Sequence, residues 1–584
     1  MHDPQIRLRI GVTGHRDIAP DDIESVKRNA IEFLSWLKES VPETGLTVIS
    51  GLADGADRIF ARAALDLNMD VEAVLPMPLS QYKNDFDEES YNELETFINS
   101  SGVECIELPL TPGLDLNDAN WSQKQRDRLY ANLSEDMRLR SSFLVALWDG
   151  EFNGLTGGTG DTILRYLGSP QKSGEATRKM VAANGEDLDG EPLVYWIPVG
   201  RKSSANASPR SPQQQGPCWL SSVGENIRLW DTPPPDFIQE LTLFSQFNTR
   251  HAELTRKQSL VSYGNLLDGC SEALERDAKQ FMASDKAYTM ADSLALFYQS
   301  QSDRLFKLFS IMAAAMGLLF LVYAKLAAVQ FLLIGYLALF FAGVFLSGRG
   351  AKQEWFTRHL VYRCLAETLR VRFYLDLSGS DDRVDIRELL QSSGVNNFPG
   401  FSWIRYVLRS TRPVLNTSRL PSEQTENRIE AARLNWIEEQ SVYFKRKTSQ
   451  LHHRHHKLEK IKGLIIGGLV VAAIILVFFK KTLVGIDLGN HLTLKTLLIF
   501  FMGLFPFWLG VWEIYQGKMA VKELTWQYQN QRDHFIKTDK LLKQSADIEF
   551  RRETIARLGK ISILENCLWI IQRHHREHEP PTAG

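Results

Sequence analysis

The sequence predicts two architectures in one chain. An α/β Rossmann-like domain with a mostly parallel sheet comes first, followed by an all-α membrane domain of four transmembrane helices in two hairpins with long cytoplasmic helices. Three observations predict it. Residues 308–346 carry a single charged side chain, Lys325, over a run about twice as long as one bilayer crossing needs. A second apolar pair, 463–479 and 497–512, repeats the plan. Upstream of both, short β-rich runs alternate with helix-length amphipathic segments, which is the pattern of a sheet covered on both faces.

The first apolar run is expected to cross twice, at about 308–323 and 331–346, with Lys325 and Gln330 at the turn. The second pair is joined by a polar loop containing Asp487, Asn490 and His491. Four crossings put both chain ends on one side. Arg304, Lys307, Arg349, Lys352, Arg358, Lys457, Lys460, Lys462, Lys518 and Lys522 all flank the arms outside the hairpin turns, so the positive-inside rule makes those ends cytoplasmic. Lys325, Lys480, Lys481 and Lys495 lie in the turns and weaken the bias without reversing it. The start MHDPQIRLRIGVTG has no basic, apolar and small-residue succession of a signal peptide, so the first domain is expected to stay in the cytoplasm. Gly463 and Gly467 give a GxxxG spacing suited to close helix packing, and four short uncharged crossings need partner copies to line any hydrated path.

Composition agrees with this division. At 584 residues the chain exceeds one core, and a net charge of -3 excludes a general nucleic-acid binder. Cys105, Cys218, Cys270, Cys364 and Cys567 are scattered without CxxC spacing, so neither a disulfide framework nor a zinc site is supported. His452, His453, His455 and His456, beside Arg454 and Lys457, and His574, His575 and His578 read as weakly basic solvated faces, since neighbouring positive charge opposes a metal ion. The expected domains are 1–235, 236–400 and 401–584, with a Ser/Pro/Gln loop at 201–217.

Within the first domain, strands are expected at 6–12, 46–50, 71–77, 105–110, 143–148 and 193–199, with another near 227–230. Residues 21–40 should be a helix, because Ile23, Val26, Ala30, Phe33, Leu34 and Leu37 share one face; 58–67 and 123–140 are further helices. Glycines gather at the strand ends: GVTGHRD (11–17), SGLADGAD (50–57) and WDGEFNGLTGGTGDT (148–162). Ligands of such sheets bind outside the carboxyl ends of the strands. A helix beginning at Thr162 would aim its free amides at a phosphate held by Gly157, Gly158 and Gly160. Thr13, Ser50, Asp149, Thr159 and Asp161 belong to the same candidate loops.

These residues carry a resemblance. SGLADGADRIFARAAL (50–65) resembles the SGxAxGxD signature of the DNA-processing protein A family, and GVTGHRD and GGTGDT resemble other loops of the wider SLOG superfamily. The likeness spans roughly residues 7–199. It implies a Rossmann-like fold, a nucleotide or NAD-derived ligand, and contacts from Gly11, Gly14, His15, Arg16, Gly51, Asp54, Gly55, Gly158, Gly160 and Thr162. LOG-type phosphoribohydrolases in that superfamily follow a GGxGTxxE pattern, whereas here the glutamate position holds Leu164, which cannot act as acid or base. The resemblance therefore implies binding rather than turnover.

The repeated plan of polar helix, hairpin and polar helix resembles the SLATT group of two-crossing bacterial effector modules, which occur fused to SLOG domains. That likeness implies a bacterial inner-membrane effector in antiviral defence, acting as a homo-oligomer that permeabilises the membrane on binding a nucleotide signal. No metal, resident cofactor or nucleic acid is expected. Two other readings stay open: a membrane-tethered nucleotide N-glycosidase recruiting Asp149, Asp161 or Asp54, and a non-catalytic membrane scaffold.

Overall fold

The computed structural model describes residues 5–111, 114, 121–152, 154–168, 180–182, 192–202, 216–223, 226–261, 264–414, 422–486, 489, 493–518 and 521–574. Most of the expected 201–217 loop, together with Asp487, Asn490, His491, His575 and His578, lies outside them. The chain forms two compact units. One comprises Met1–Ser259, Ser271–Ala287 and Asn396–Glu426; the other comprises Leu260–Cys270, Tyr288–Val395 and Asn427–Gly584.

Among the described residues the first unit is built on a sheet of nine strands: β1 (Leu8–Gly14), β2 (Leu46–Ser50), β3 (Asp70–Leu75), β4 (Val103–Glu107), β5 (Phe143–Trp148), β6 (Met180–Ala182), β7 (Leu193–Pro198), β8 (Cys218–Val223) and β9 (Asn226–Trp230). Their order is β4-β3-β2-β1-β5-β7-β8-β9-β6. β1 to β5 and β7 run parallel, as does the β6–β9 pair, while β7–β8 and β8–β9 are antiparallel. The sequence pattern anticipated a mostly parallel sheet; β6 and β8 are additions to it. The strand order turns around at β1, which has β2 on one side and β5 on the other. A crevice for ligands opens at such a reversal, outside the carboxyl ends of the two central strands.

Strand alternation decides which helix covers which face. On β5, β7 and β8, Leu144, Ala146, Trp148, Val194, Trp196, Cys218 and Leu220 pack with Ile163, Leu164 and Tyr166 of α6 (Thr159–Tyr166). The intervening Phe143, Tyr195 and Trp219 turn to the other face, where Phe33 of α1 (Ile23–Ser40) stacks on Tyr195 at 4.0 Å. Burial of each such large side chain contributes roughly 1.5–3 kcal/mol. On α1 the buried stripe is Val26, Ala30, Phe33, Leu34 and Leu37, as the periodicity predicts. The remaining helices of this unit's first stretch are α2 (Ala56–Asp66), α3 (Leu79–Tyr82), α4 (Glu88–Ile98), α5 (Gln123–Arg140) and α7 (Pro235–Arg256).

A segment far along the chain completes this unit. The helix Ile404–Ser410 docks on the amino-terminal side of β1 and β5, where Arg9 N–H donates to Ser410 Oγ at 3.3 Å and Arg9 Nη1 to the Arg412 carbonyl at 2.9 Å. Arg409 Nη1 donates to the Ser142 carbonyl at 2.9 Å, and Tyr406 Oη to Glu240 Oε2 of α7 at 2.8 Å. No local pattern in the sequence announces this return.

The second unit is helical in the described residues. Among the described residues four helices are long and apolar enough to cross a membrane: Ala278–Lys325, Gln330–Ser378, Ser422–Phe478 and Leu494–Gly517. They contain the four expected spans. Glu354 takes a left-handed turn (φ 50°) that divides the second into Gln330–Gln353 and Trp355–Ser378. The first and fourth spans pack closely, with the Phe507 ring seated on Gly317 and Trp508 Nε1 donating to the Ala314 carbonyl at 3.1 Å. The apolar window of the third span is 0% buried, and nothing lies within 4 Å of a Cβ placed on Gly463 or Gly467. Early in the third of these helices, well ahead of its apolar part, Arg433–Glu438 is π-helical, and the Asn435 carbonyl there accepts from Tyr374 Oη at 3.0 Å.

Candidate functional site

Because β1, β2 and β5 are parallel and in register, with Val12 opposite Ser50 and Gly14 opposite Leu147, their carboxyl ends converge at one edge. Thr13, Gly14, His15 and Arg16 leave β1 there, Ser50, Gly51, Asp54 and Gly55 leave β2, and Asp149 leaves β5. Gly157 and Gly158 lead into α6, which carries Thr159, Gly160, Asp161 and Thr162. The helix begins three residues before the Thr162 suggested by the glycine pattern. Gly158 is extended at the N-cap, and Asp161 Oδ2 accepts from Gly157 N–H at 2.8 Å, which pins the loop and starts the helix early. Asp161 Oδ2 also accepts from Arg165 Nε at 2.8 Å. Thr162 is buried, its hydroxyl 2.7 Å from Ser134 Oγ of α5. Hence the amides at the start of α6 belong to Thr159, Gly160 and Asp161, which by helix geometry have no partner within the helix.

Several of the glycines are required by the fold itself. A Cβ on Gly14 would lie 2.3 Å from Ala56 Cβ, and one on Gly11 would lie 2.5 Å from Ser141 Oγ. Gly157, at φ +75°, abuts the backbone of α5, with Ala131 N and Asp127 O each 2.9 Å from a Cβ there. Gly160 is buried beside Phe152. Gly158 has more room, its closest contact being the Leu155 carbonyl at 3.1 Å.

The polar side chains form two clusters. In one, His15 Nε2 stands 3.0 Å from Asp149 Oδ1 in a buried ion-pair geometry, and Asp149 also accepts from Glu151 N–H at 3.0 Å. Partial burial pushes the Asp149 carboxyl up, but the His15 bond, the Glu151 amide and the charges of His15 and Arg201 outweigh it and hold the group below its ordinary range. In the other, the exposed Arg16 guanidinium lies between the rings of Phe86 (5.7 Å) and Tyr130 (5.4 Å), and Arg16 Nη2 donates to Tyr130 Oη at 2.7 Å. Tyr130 in turn donates to Asp85 Oδ2 at 2.5 Å. Asp54 is held by Arg58 and Ser90.

The loop after β2 is tightly specified. Leu52 is buried with φ 50°, an unfavourable backbone state for leucine; its N–H donates to Ser50 Oγ at 3.1 Å and its carbonyl accepts from Arg58 Nε at 3.1 Å. Tyr82 Oη donates to the Gly51 carbonyl at 3.0 Å. In the first turn of α2, directly after this loop, sits Asp57, buried, and absent from the residues the sequence singled out although it lies in GLADGAD. Burial raises its pKa to about 7 against the opposing amides of Ala53 and Gly51 and the charges of Arg16 and Arg58. Arg126, Tyr130 and Ser134 were missed as well; their spacing of four residues along α5 is the signal that they share one face.

The Asp57 shift predicts a pH dependence. Between the ordinary carboxylate range and about pH 7 the folded protein binds more protons than the unfolded chain, so stability falls as pH rises through that window. Lowering the pH from about 8 to about 6 should stabilise the α/β unit by about 1 kcal/mol. Denaturant midpoints measured at both values check this, and Asp57→Asn should flatten the slope.

Among the described residues no group of three or more His, Cys, Asp or Glu side chains is arranged to hold a metal ion. No protein-family model matches the chain, and no curated protein matches it. A solved structure, that of DNA processing protein A (DprA) from Streptococcus pneumoniae, matches 31% of this chain and 52% of its own at 18% identity, with a TM-score of 0.19. The match thus spans about half of that protein, and at that TM-score it decides nothing about ligand or activity.

Proposed function

We propose that the protein is a membrane effector that senses a nucleotide or NAD-derived signal in its α/β unit and answers through its transmembrane helices by permeabilising the membrane. What supports this reading is the placement of Arg16 and His15 after β1, Asp149 after β5 and the start of α6 on loops at the carboxyl side of the strand-order reversal, in a chain that also has four membrane-length helices. An Arg side chain and free amides at a helix start suit a phosphate. Bacterial inner-membrane location, cytoplasmic termini, assembly into homo-oligomers and a role in antiviral defence complete the proposal; they rest on the flanking charges and on the SLOG and SLATT resemblance.

The site favours binding over N-glycosidic cleavage. Leu164, at the position of the LOG-type glutamate, is 2% exposed and packs in the core under the sheet. Asp161 and Asp54 are ion-paired with Arg165 and Arg58, and the Asp149 carboxyl is held below its ordinary range against burial by His15 and the Glu151 amide.

The test uses whole protein in sealed liposomes with ATP, NAD and ADP-ribose presented singly. One of them should release an entrapped dye without being consumed. Val471→Asp, in the lipid-exposed third span, should abolish the leak, since a carboxylate at a helix centre costs about 2.5–3.5 kcal/mol on insertion. Saturating ligand with sealed membranes and product accumulating in solution would transfer the case to a tethered hydrolase.

A further inference from the structure

The two ends of α6 serve different neighbours. Its amino-terminal end carries the glycine loop, clamped where Asp161 accepts from Gly157 N–H. At its carboxyl-terminal end Tyr166 Oη donates to the Ser141 carbonyl at 3.1 Å and accepts from Arg409 Nη1 at 3.2 Å, with the Arg409 guanidinium over the Tyr166 ring at 5.6 Å. Arg409 belongs to Asn396–Glu426, the stretch of the first unit that continues directly into the second unit at Val395 and at Asn427. That stretch lies within the longer segment that connects the two hairpins.

We infer that α6 is a coupler: occupation of the glycine loop is felt, through Tyr166 and Arg409, by the chain that joins the two membrane hairpins. The inference rests on the proposed ligand reading only for what occupies the loop. Three features support a mechanical link. α6 has eight residues, about 12 Å, too short to absorb a displacement by bending. Its middle, Ile163 and Leu164, is packed in the core, so a shift at one end becomes a tilt at the other. Arg409 is buried, and its bonds to the Ser142 carbonyl and Tyr166 hydroxyl are directional, so a tilt of Tyr166 changes their geometry. Ser410 next to it bonds Ser142 Oγ at 3.1 Å and Arg9 N–H, which ties the same turn to β1 and β5. Coupling of this kind is a free energy shared between two sites and works in both directions.

The experiment needs no ligand. In full-length protein in nanodiscs, hydrogen exchange is followed over residues 404–410 in a cycle of Asp161→Ala and Tyr166→Phe. Asp161→Ala releases the loop end of α6; Tyr166→Phe keeps the ring and removes the hydroxyl that meets Arg409. Asp161→Ala is expected to speed exchange at 404–410 by about five-fold or more in the parent protein and to leave it unchanged in the Tyr166→Phe background. An equal acceleration in both backgrounds, or none in either, overturns the coupler. If Asp161→Ala melts α6 outright, visible as full exchange across 159–166, Asp161→Asn is read by the same criterion. Since no nucleotide is present, failure here leaves the ligand proposal standing, and failure of ligand binding leaves this result intact.

Discussion

Replacing Glu72 with alanine should cost the α/β unit about 3–5 kcal/mol, a large share of the ~5–15 kcal/mol that holds a typical domain together. Glu72 lies on β3 with its side chain 10% exposed, between Arg9 of β1 and Arg140 at the end of α5. Arg9 Nε donates to one carboxylate oxygen at 2.9 Å, Arg140 donates to the other, and Arg140 Nη1 reaches Asp136 at 3.0 Å. Burial pushes Glu72 upward, yet the two guanidiniums outweigh it and hold the carboxyl low; burial and the like charge of Arg140 meanwhile press Arg9 downward against the pull of Glu72. Alanine would leave two desolvated guanidiniums facing each other with one carboxylate removed. The loss should spread, because Arg9 also holds Ser410 and the Arg412 carbonyl of the returning segment. Denaturant unfolding followed by tryptophan fluorescence measures it, and Glu72→Gln, which keeps the shape and an acceptor, should fall between parent and alanine. A midpoint for Glu72→Ala equal to the parent's would mean the three groups are not buried together.

Gly55→Val should be as severe for a different reason. Gly55 caps α2 at φ +74°, a conformation that a β-branched residue enters only at a cost of roughly 1–3 kcal/mol. Its Cβ would also lie 2.4 Å from the Arg16 carbonyl and 2.8 Å from that of His15. Backbone cannot yield there, because Ala56 N–H donates to the His15 carbonyl at 3.1 Å. The crossing of the two loops would be forced apart, and His15 and Arg16 would leave their places. Poor recovery of folded protein, with ligand binding lost, is the expected result. Gly158→Ala is the contrasting variant, since Gly158 is extended and its Cβ would meet the Leu155 carbonyl at 3.1 Å, a contact that small shifts relieve. It should fold normally, so any change in ligand affinity reports on the loop itself.

That contrast marks what was legible in the sequence. The apolar runs and helical stripes placed β1, β2, β3, β5 and β7, the helices α1 and α5, and the four spans, because burial imposes a period on each. Clustering of glycines located the loops at the strand ends. It did not reveal what each glycine faces: Gly14, Gly55 and Gly157 approach other parts of the same chain, and the close approach of a helix looks like that of a ligand in one dimension. Asp57, Tyr130 and Arg201 reach the site by folding over long distances or by burial, which composition does not record. The docking of Ile404–Ser410 is the extreme case. Its seven residues carry a sheet contact some four hundred positions from their partner, and nothing local in IRYVLRS separates it from a surface helix.

This return sets an order on biosynthesis. A chain emerges from its amino end at roughly 5–20 residues per second, and domains fold as they become complete. The strands from Leu8 to Trp230 are all made before the first apolar run, yet the helix that binds Arg9, Ser142 and Tyr166 follows both arms of the first hairpin. The α/β unit therefore stays unfinished until both apolar arms of that hairpin have been made. A nascent chain stalled before Ile404 should be protease-sensitive around Arg9 and Ser142 even though every strand is present.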